Sequence, residues 1–102
     1  MVIFNSTYCV SLSDFPKWEN WIKDIYIPKM IGTGYFSEPK VLKIMKQDED
    51  SDDSYSVQFT AQSMEDLLDW NDKYGEEFSR EFSCFFGTDV LYFSTILEVL
   101  YP

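Results

Sequence analysis

Apolar and polar positions alternate along the first ten residues. Val2, Phe4, Tyr8 and Val10 fall on one side of an extended chain, and Ile3, Asn5, Thr7 and Cys9 on the other. That period of two, in a stretch rich in β-branched and aromatic residues, predicts a strand over Val2–Val10. Ser11-Leu12-Ser13-Asp14 supplies helix-start chemistry: Ser13 or Asp14 can cap free N–H groups, and Pro16 sits in the first turn, where a missing donor does no harm. The period then changes. Phe15, Trp18, Ile22 and Ile25 recur at three and four residues, flanked by Trp21 and Tyr26, which predicts an amphipathic helix. Pro28 is expected to break or kink it, because its ring clashes with the carbonyl four residues back. Pro28–Ile31 is then a separate final turn, ended by Gly32-Thr33-Gly34.

The second half repeats this order. Tyr35–Lys46 reads as a strand, and Glu38-Pro39 near its start marks an edge or a bulge, since proline cannot donate to a ladder. Lys40, Lys43 and Lys46 also suit an edge. The acidic run Asp48–Asp53 reads as a solvated hairpin tip. It has alternate aspartates like a calcium loop, but no turn glycine, and Phe59 stands where the loop's last ligand belongs. Ser54–Ala61 alternates cleanly, with Tyr55, Val57, Phe59 and Ala61 opposed to Ser54, Ser56, Gln58 and Thr60. A second helix starts at Ser63, with Glu65 and Asp66 favouring the positive end of its dipole. Leu67, Trp70, Tyr74, Phe78, Phe82 and Phe85 form its apolar face, Gly75 marks a bend, and Gly87 ends it. Val90–Leu97 is a final strand.

Two strand-helix-strand units with right-handed crossovers interleave into a four-stranded antiparallel sheet, order 4-1-3-2, with both helices on one face. The expected fold is therefore an α+β, ferredoxin-like βαββαβ arrangement, one domain over residues 1–102. The face away from the helices is mixed on the first strand and polar on the third. Such a face suits the inside of a barrel made by two sheets across a homodimer.

Composition sharpens this. Aromatic residues make up 19% of the 102 residues, more than one sheet-helix interface readily buries, which again points to a subunit contact. A formal charge of −10 repels nucleic acid and anionic lipid, so neither is an expected partner. No apolar run approaches membrane-spanning length, and no secretory leader is expected, so the cytoplasm is the expected location. Cys9 and Cys84, far apart in an acidic chain, read as reduced and mostly buried thiols. Histidine is absent from the chain. That removes the commonest general base, the commonest metal ligand and any Ser-His or Cys-His nucleophile. No catalytic residue, metal site or cofactor is expected.

The stretches Phe4-Asn5-Ser6-Thr7, Tyr26-Ile27-Pro28, Gly34-Tyr35-Phe36, Tyr55-Ser56-Val57-Gln58-Phe59, Phe86-Gly87 and Phe93-Ser94-Thr95-Ile96-Leu97-Glu98 carry a resemblance. They resemble an uncharacterised family of bacterial proteins of about this length, a domain of unknown function in the dimeric α+β barrel superfamily. The resemblance implies a fold and a dimer, because the family has no established activity. The family pattern has histidine where this chain has Tyr26 and arginine where it has Ser94, so a chemistry that used them would be lost here. The superfamily also holds cofactor-independent monooxygenases, haem-degrading enzymes and lactone isomerases, with pockets between sheet and helices.

Asn5, Trp18, Trp21, Tyr26, Gln58 and Trp70 are the residues that such a pocket would use, and Tyr26, Asn5, Gln58, Trp21 and Ser94 are taken as candidate ligand contacts. A phenol just before a kink can hold or polarise a ligand, so Tyr26 leads. Packing is the competing role for the tryptophans, since aromatic stripes at helical spacing usually form core. Two functions follow. One is a non-catalytic binding or structural homodimer, and the other a cofactor-independent monooxygenase or isomerase acting on a hydrophobic small molecule. The missing histidine favours the first.

Overall fold

The computed structural model describes residues 1–45 and 53–101. Strand β1 (Val2–Val10) lies inside the sheet. It pairs antiparallel with β3 (Asp53–Ala61) on one side, Tyr8 opposite Tyr55, and with β4 (Leu91–Glu98) on the other, Ser6 opposite Ser94. Strand β2 (Ser37–Ile44) closes the far side against β3, giving the order β2-β3-β1-β4, the order read from the sequence. The Glu38-Pro39 signal also holds: the register shifts between Ser37 and Lys40, and Glu38 takes a φ of 53°, a left-handed conformation rare in side-chain-bearing residues.

Each crossover is a helical arm of three pieces. The first comprises α1 (Phe15–Trp21), a π turn (Ile22–Tyr26) and α2 (Ile27–Gly32). The second comprises α3 (Met64–Trp70), a π turn (Asn71–Gly75) and α4 (Glu76–Phe86). Pro28 explains the first π turn. It sits at the start of α2, and the widened turn before it, closed by Ile27 N–H on the Ile22 carbonyl, moves the preceding backbone out of the ring's way. Ser63 caps the second arm, its hydroxyl accepting the Asp66 N–H at 3.1 Å.

The wide turns also correct the expected helix faces. One extra residue per turn brings Tyr26 inward and leaves Ile25 36% exposed. On the second arm Phe86, four residues after Phe82, is buried, while Phe85 lies at the surface. The thiols are a further correction: Cys9 and Cys84 are both free and exposed, not buried. Cys9 alternates onto the face of β1 that the arms do not cover, and Cys84 lies on the outer side of α4.

Both arms pack on the face of the sheet that carries Val2, Tyr8, Val57, Phe59 and Ala61. Lysines tie the arms together. Lys29 Nζ reaches Glu81 at 2.5 Å and Glu77 at 3.4 Å, and Lys17 Nζ donates to the Phe85 carbonyl at 2.7 Å. The hydrogen bond that Lys29 donates to Glu81 holds its ammonium above the usual pKa, despite partial desolvation. No helix among the described residues is long and apolar enough to cross a membrane. Most of the acidic run, with its expected lack of a specific ion, lies outside the described residues.

The uncovered face has more apolar surface than β1 and β3 alone imply. Its centre is polar, with Asn5, Thr7, Ser56 and Gln58. Its flanks are more apolar: β2 contributes Leu42 and Ile44 beside Lys40, and β4 contributes Leu91, Phe93 and Leu97 beside Thr95, all exposed.

Candidate functional site

A cavity of about 250 Å³ lies between the sheet and the two arms. β1 supplies its floor through Phe4, Ser6 and Tyr8, because these alternate residues all point toward the arms. The first arm contributes Trp21 and Tyr26 at the borders of its π turn. The second contributes Trp70, Asn71 and Gly75 from the borders of its own. Both π turns therefore flank the cavity, a common placement for this irregularity at ligand sites. Asn71 and Ser79 are exposed on one side, and Tyr92 and Ser94 of β4 are exposed on the other, so the mouth lies between the second arm and β4. Gly75 leaves room there for a neighbour: a Cβ on it would collide with Asn71 Oδ1.

Aromatic rings form the walls. Trp21 stacks on Tyr26 with centroids 4.8 Å apart, and Tyr26 meets Phe78 edge-on at 5.8 Å. Trp70 leans on Phe4 at 5.3 Å, and Tyr8 stacks on Tyr92 at 5.4 Å. Such pairs add rigidity beyond their buried area.

The polar groups of the lining are hydroxyls, with the Asn71 amide at the mouth. The Tyr8 hydroxyl interacts with that of Tyr26 on one side and with Ser6 on the other, and Ser6 Oγ lies 2.9 Å from Ser94 Oγ. Four hydroxyls thus stand in sequence from the first arm to β4. Burial pushes both phenols well above the usual tyrosine pKa, so they stay neutral at physiological pH. The Nε1 atoms of Trp21 and Trp70 are buried and have no hydrogen-bond partner, as is that of Trp18. An unpaired buried donor of this kind costs about 1–3 kcal/mol. Among the described residues, no charged side chain lines the cavity.

Trp21, Tyr26 and Ser94 thus converge on one cavity. Asn5 and Gln58 do not join them. They face each other across β1 and β3 on the uncovered side, where Asn5 Oδ1 accepts the Ser56 hydroxyl. Strand alternation decides this: Asn5 points opposite to Phe4 and Ser6, so one residue cannot serve both faces. Trp18 lines a different groove of about 340 Å³, with Phe15, Ile22, Val41 and Tyr55. Trp70, named among the pocket-type residues, does reach the cavity. Ser6, Asn71 and Ser79 were not read as site residues. Ser6 is the one polar residue on the apolar face of β1, a signal the alternation offered; nothing in the pattern marked the other two.

The chain can be placed among known proteins on this basis. A domain of unknown function (DUF4286) matches residues 1–100. The chain belongs to the DUF4286 family. Solved structures share its fold at low identity. A dimeric ferredoxin-like protein from an uncultured marine organism superposes with a TM-score of 0.66 at 11% identity, covering 100% of this chain and 97% of that one. A variant of MhuD with two manganese protoporphyrin IX bound per active site gives 0.68 at 15%, with the same coverage. The hydroxynitrile lyase from Passiflora edulis gives 0.64 at 16%, covering 99% and 97%. No curated protein matches the chain. Neighbours this different in chemistry fix the fold and leave function to the site. Tyr26 and Ser94 stand at opposite ends of the row of hydroxyls.

Proposed function

We propose that this DUF4286 member is a non-catalytic, homodimeric binding protein of the cytoplasm, one domain over residues 1–102, that holds a hydrophobic small molecule between its sheet and its arms. The observation that carries this reading is the aromatic-walled cavity, whose lining among the described residues bears hydroxyls and one amide but no charged group. Apolar walls with a few polar groups suit a largely apolar, neutral guest. The phenols are poor bases while burial keeps them protonated, which favours binding over proton-transfer chemistry. The homodimer is supported by the apolar flanks of the uncovered face and by the dimeric ferredoxin-like neighbour.

A thermal-shift screen of apolar small molecules against the parent and Tyr26→Phe tests the binding function. Stabilisation of the parent by several degrees, with each compound recovered unchanged, is the expected result. Conversion of a bound compound without added cofactor would replace this reading with the monooxygenase or isomerase alternative.

A further inference from the structure

We infer that the two-fold axis of the homodimer passes over the polar centre of the uncovered sheet face, so that Asn5 and Gln58 of one copy meet the same two residues of its partner and set how the sheets are aligned. This rests on reading the protein as a homodimer. Charge points to a second copy as the occupant. The chain has 18 acidic and 8 basic residues. Strand alternation nevertheless sends Ile3, Asn5, Thr7 and Cys9 of β1, Ser54, Ser56, Gln58 and Thr60 of β3, and Leu91, Phe93, Thr95 and Leu97 of β4 to this side, none of them charged. Lys40 of β2 lies at its edge, and the Glu38 carboxylate sits 3.5 Å from the Thr60 hydroxyl at its rim. Two copies that each carry −10 repel, and a face almost empty of charge is where they approach at least cost.

Hydrogen bonding then selects the alignment. Within one copy the centre is already linked: Ser56 donates to Asn5 Oδ1, Gln58 Nε2 donates to Ser56 Oγ at 3.4 Å, and Asn5 Nδ2 donates to Thr7 Oγ1 at 3.4 Å. Each amide nitrogen carries two hydrogens and uses one here, and each amide oxygen can accept again. Such groups are self-complementary, which is what a two-fold contact requires of a patch that faces itself. An axis over the centre puts amides on amides at any crossing angle of the strands. A partner shifted sideways by two strands, about 10 Å, instead sets the amides against Leu42, Ile44 or Phe93 and buries them unpaired, which is costly. An apolar centre would tolerate both arrangements; a polar one admits the first, as single buried polar residues fix register elsewhere.

Complementary charges test this with the whole chain. Asn5→Asp keeps the size of the side chain and an acceptor for Ser56; Asn5→Lys brings the opposite charge. Sedimentation equilibrium gives the dissociation constants, native mass spectrometry identifies a mixed dimer by its mass, and a thermal melt checks folding. Where Asn5→Lys does not fold, Gln58→Lys takes its place. Each variant alone is expected to dissociate at least tenfold more readily than the parent, the effect of like charges within about 8 Å at a partly buried site. The equimolar mixture is expected to form the mixed dimer with an affinity within about threefold of the parent. Unchanged dissociation of either variant alone, or two weakened variants that do not recover on mixing, would overturn the placement of the axis while leaving the homodimer in place. A parent that stays monomeric across the concentration range would overturn the homodimer, and this alignment with it.

Discussion

Replacing Phe93 by aspartate should convert the proposed dimer to a monomer without unfolding it. Phe93 projects from β4 onto the uncovered face, opposite Thr7, and is 61% exposed in the single chain. A phenylalanine presents on the order of 200 Å², so about 120 Å² awaits a partner. Covering that area is worth about 3 kcal/mol at 25 cal/mol/Å². A two-fold axis counts the residue twice, giving about 6 kcal/mol before the costs of association. If only a third survives those costs, the dissociation constant still rises about thirtyfold, and two facing carboxylates add repulsion. The fold itself should lose about 0.5 kcal/mol or less, because the residue leaves no cavity in the monomer core. Sedimentation equilibrium on parent and variant over micromolar concentrations reads the effect, with a thermal melt as the folding control. A parent mass of one chain, independent of concentration, would refute the dimer. An unchanged dissociation constant for Phe93→Asp would refute its placement on this face.

Other consequences are more local. Gly87→Ala should destabilise the fold by about 1–2 kcal/mol in urea unfolding, because Gly87 ends α4 at a φ of 55° and a ψ of −121°, a conformation costly for any L side chain. Ser63→Ala should cost about 1 kcal/mol through the lost cap on α3. Tyr26→Phe should change stability at neutral pH by about 1 kcal/mol or less, since it keeps the stacked ring and loses one hydroxyl. Alkaline pH separates the phenols. Burial raises the folded pKa of Tyr8 and Tyr26 while the unfolded chain titrates near 10, so above about pH 10 the unfolded state binds fewer protons and stability falls. The double variant Tyr8→Phe, Tyr26→Phe should flatten that fall in urea midpoints measured from pH 8 to 11; an unchanged slope would contradict it.

Much of the fold was legible because its signals are local and redundant. The period of two in β1 and β3, the proline at Pro16 and the Ser63 cap each point to one element, and together they leave few ways to order the strands. The bulge at Glu38-Pro39 was legible for a single reason, proline's missing donor. The helix faces were less so. An ideal 3.6-residue period selects Ile25 and Phe85, but each arm carries a π turn, and an added residue turns everything after it. Pro28 and Gly75 marked where those turns occur without giving their rotation. The site divided along the same line. Trp21, Tyr26 and Ser94 were found, whereas Asn5 and Gln58 were grouped with them although strand alternation sends them to the other face. The unpaired indoles had no signal at all, since whether a donor finds a partner depends on atoms brought from distant segments.

The two edges of the sheet are unlike. β2 begins with a left-handed Glu38 and a proline, and its lysines keep it charged, whereas β4 runs Leu91 to Glu98 with no bulge, no proline and a single charge at its end. Sheet growth by edge pairing thus has one permitted direction. Two chains meeting strand to strand at β4 would present only their blocked β2 edges outward, and addition would stop there. Within one sheet, strand addition is thereby limited to a single further chain.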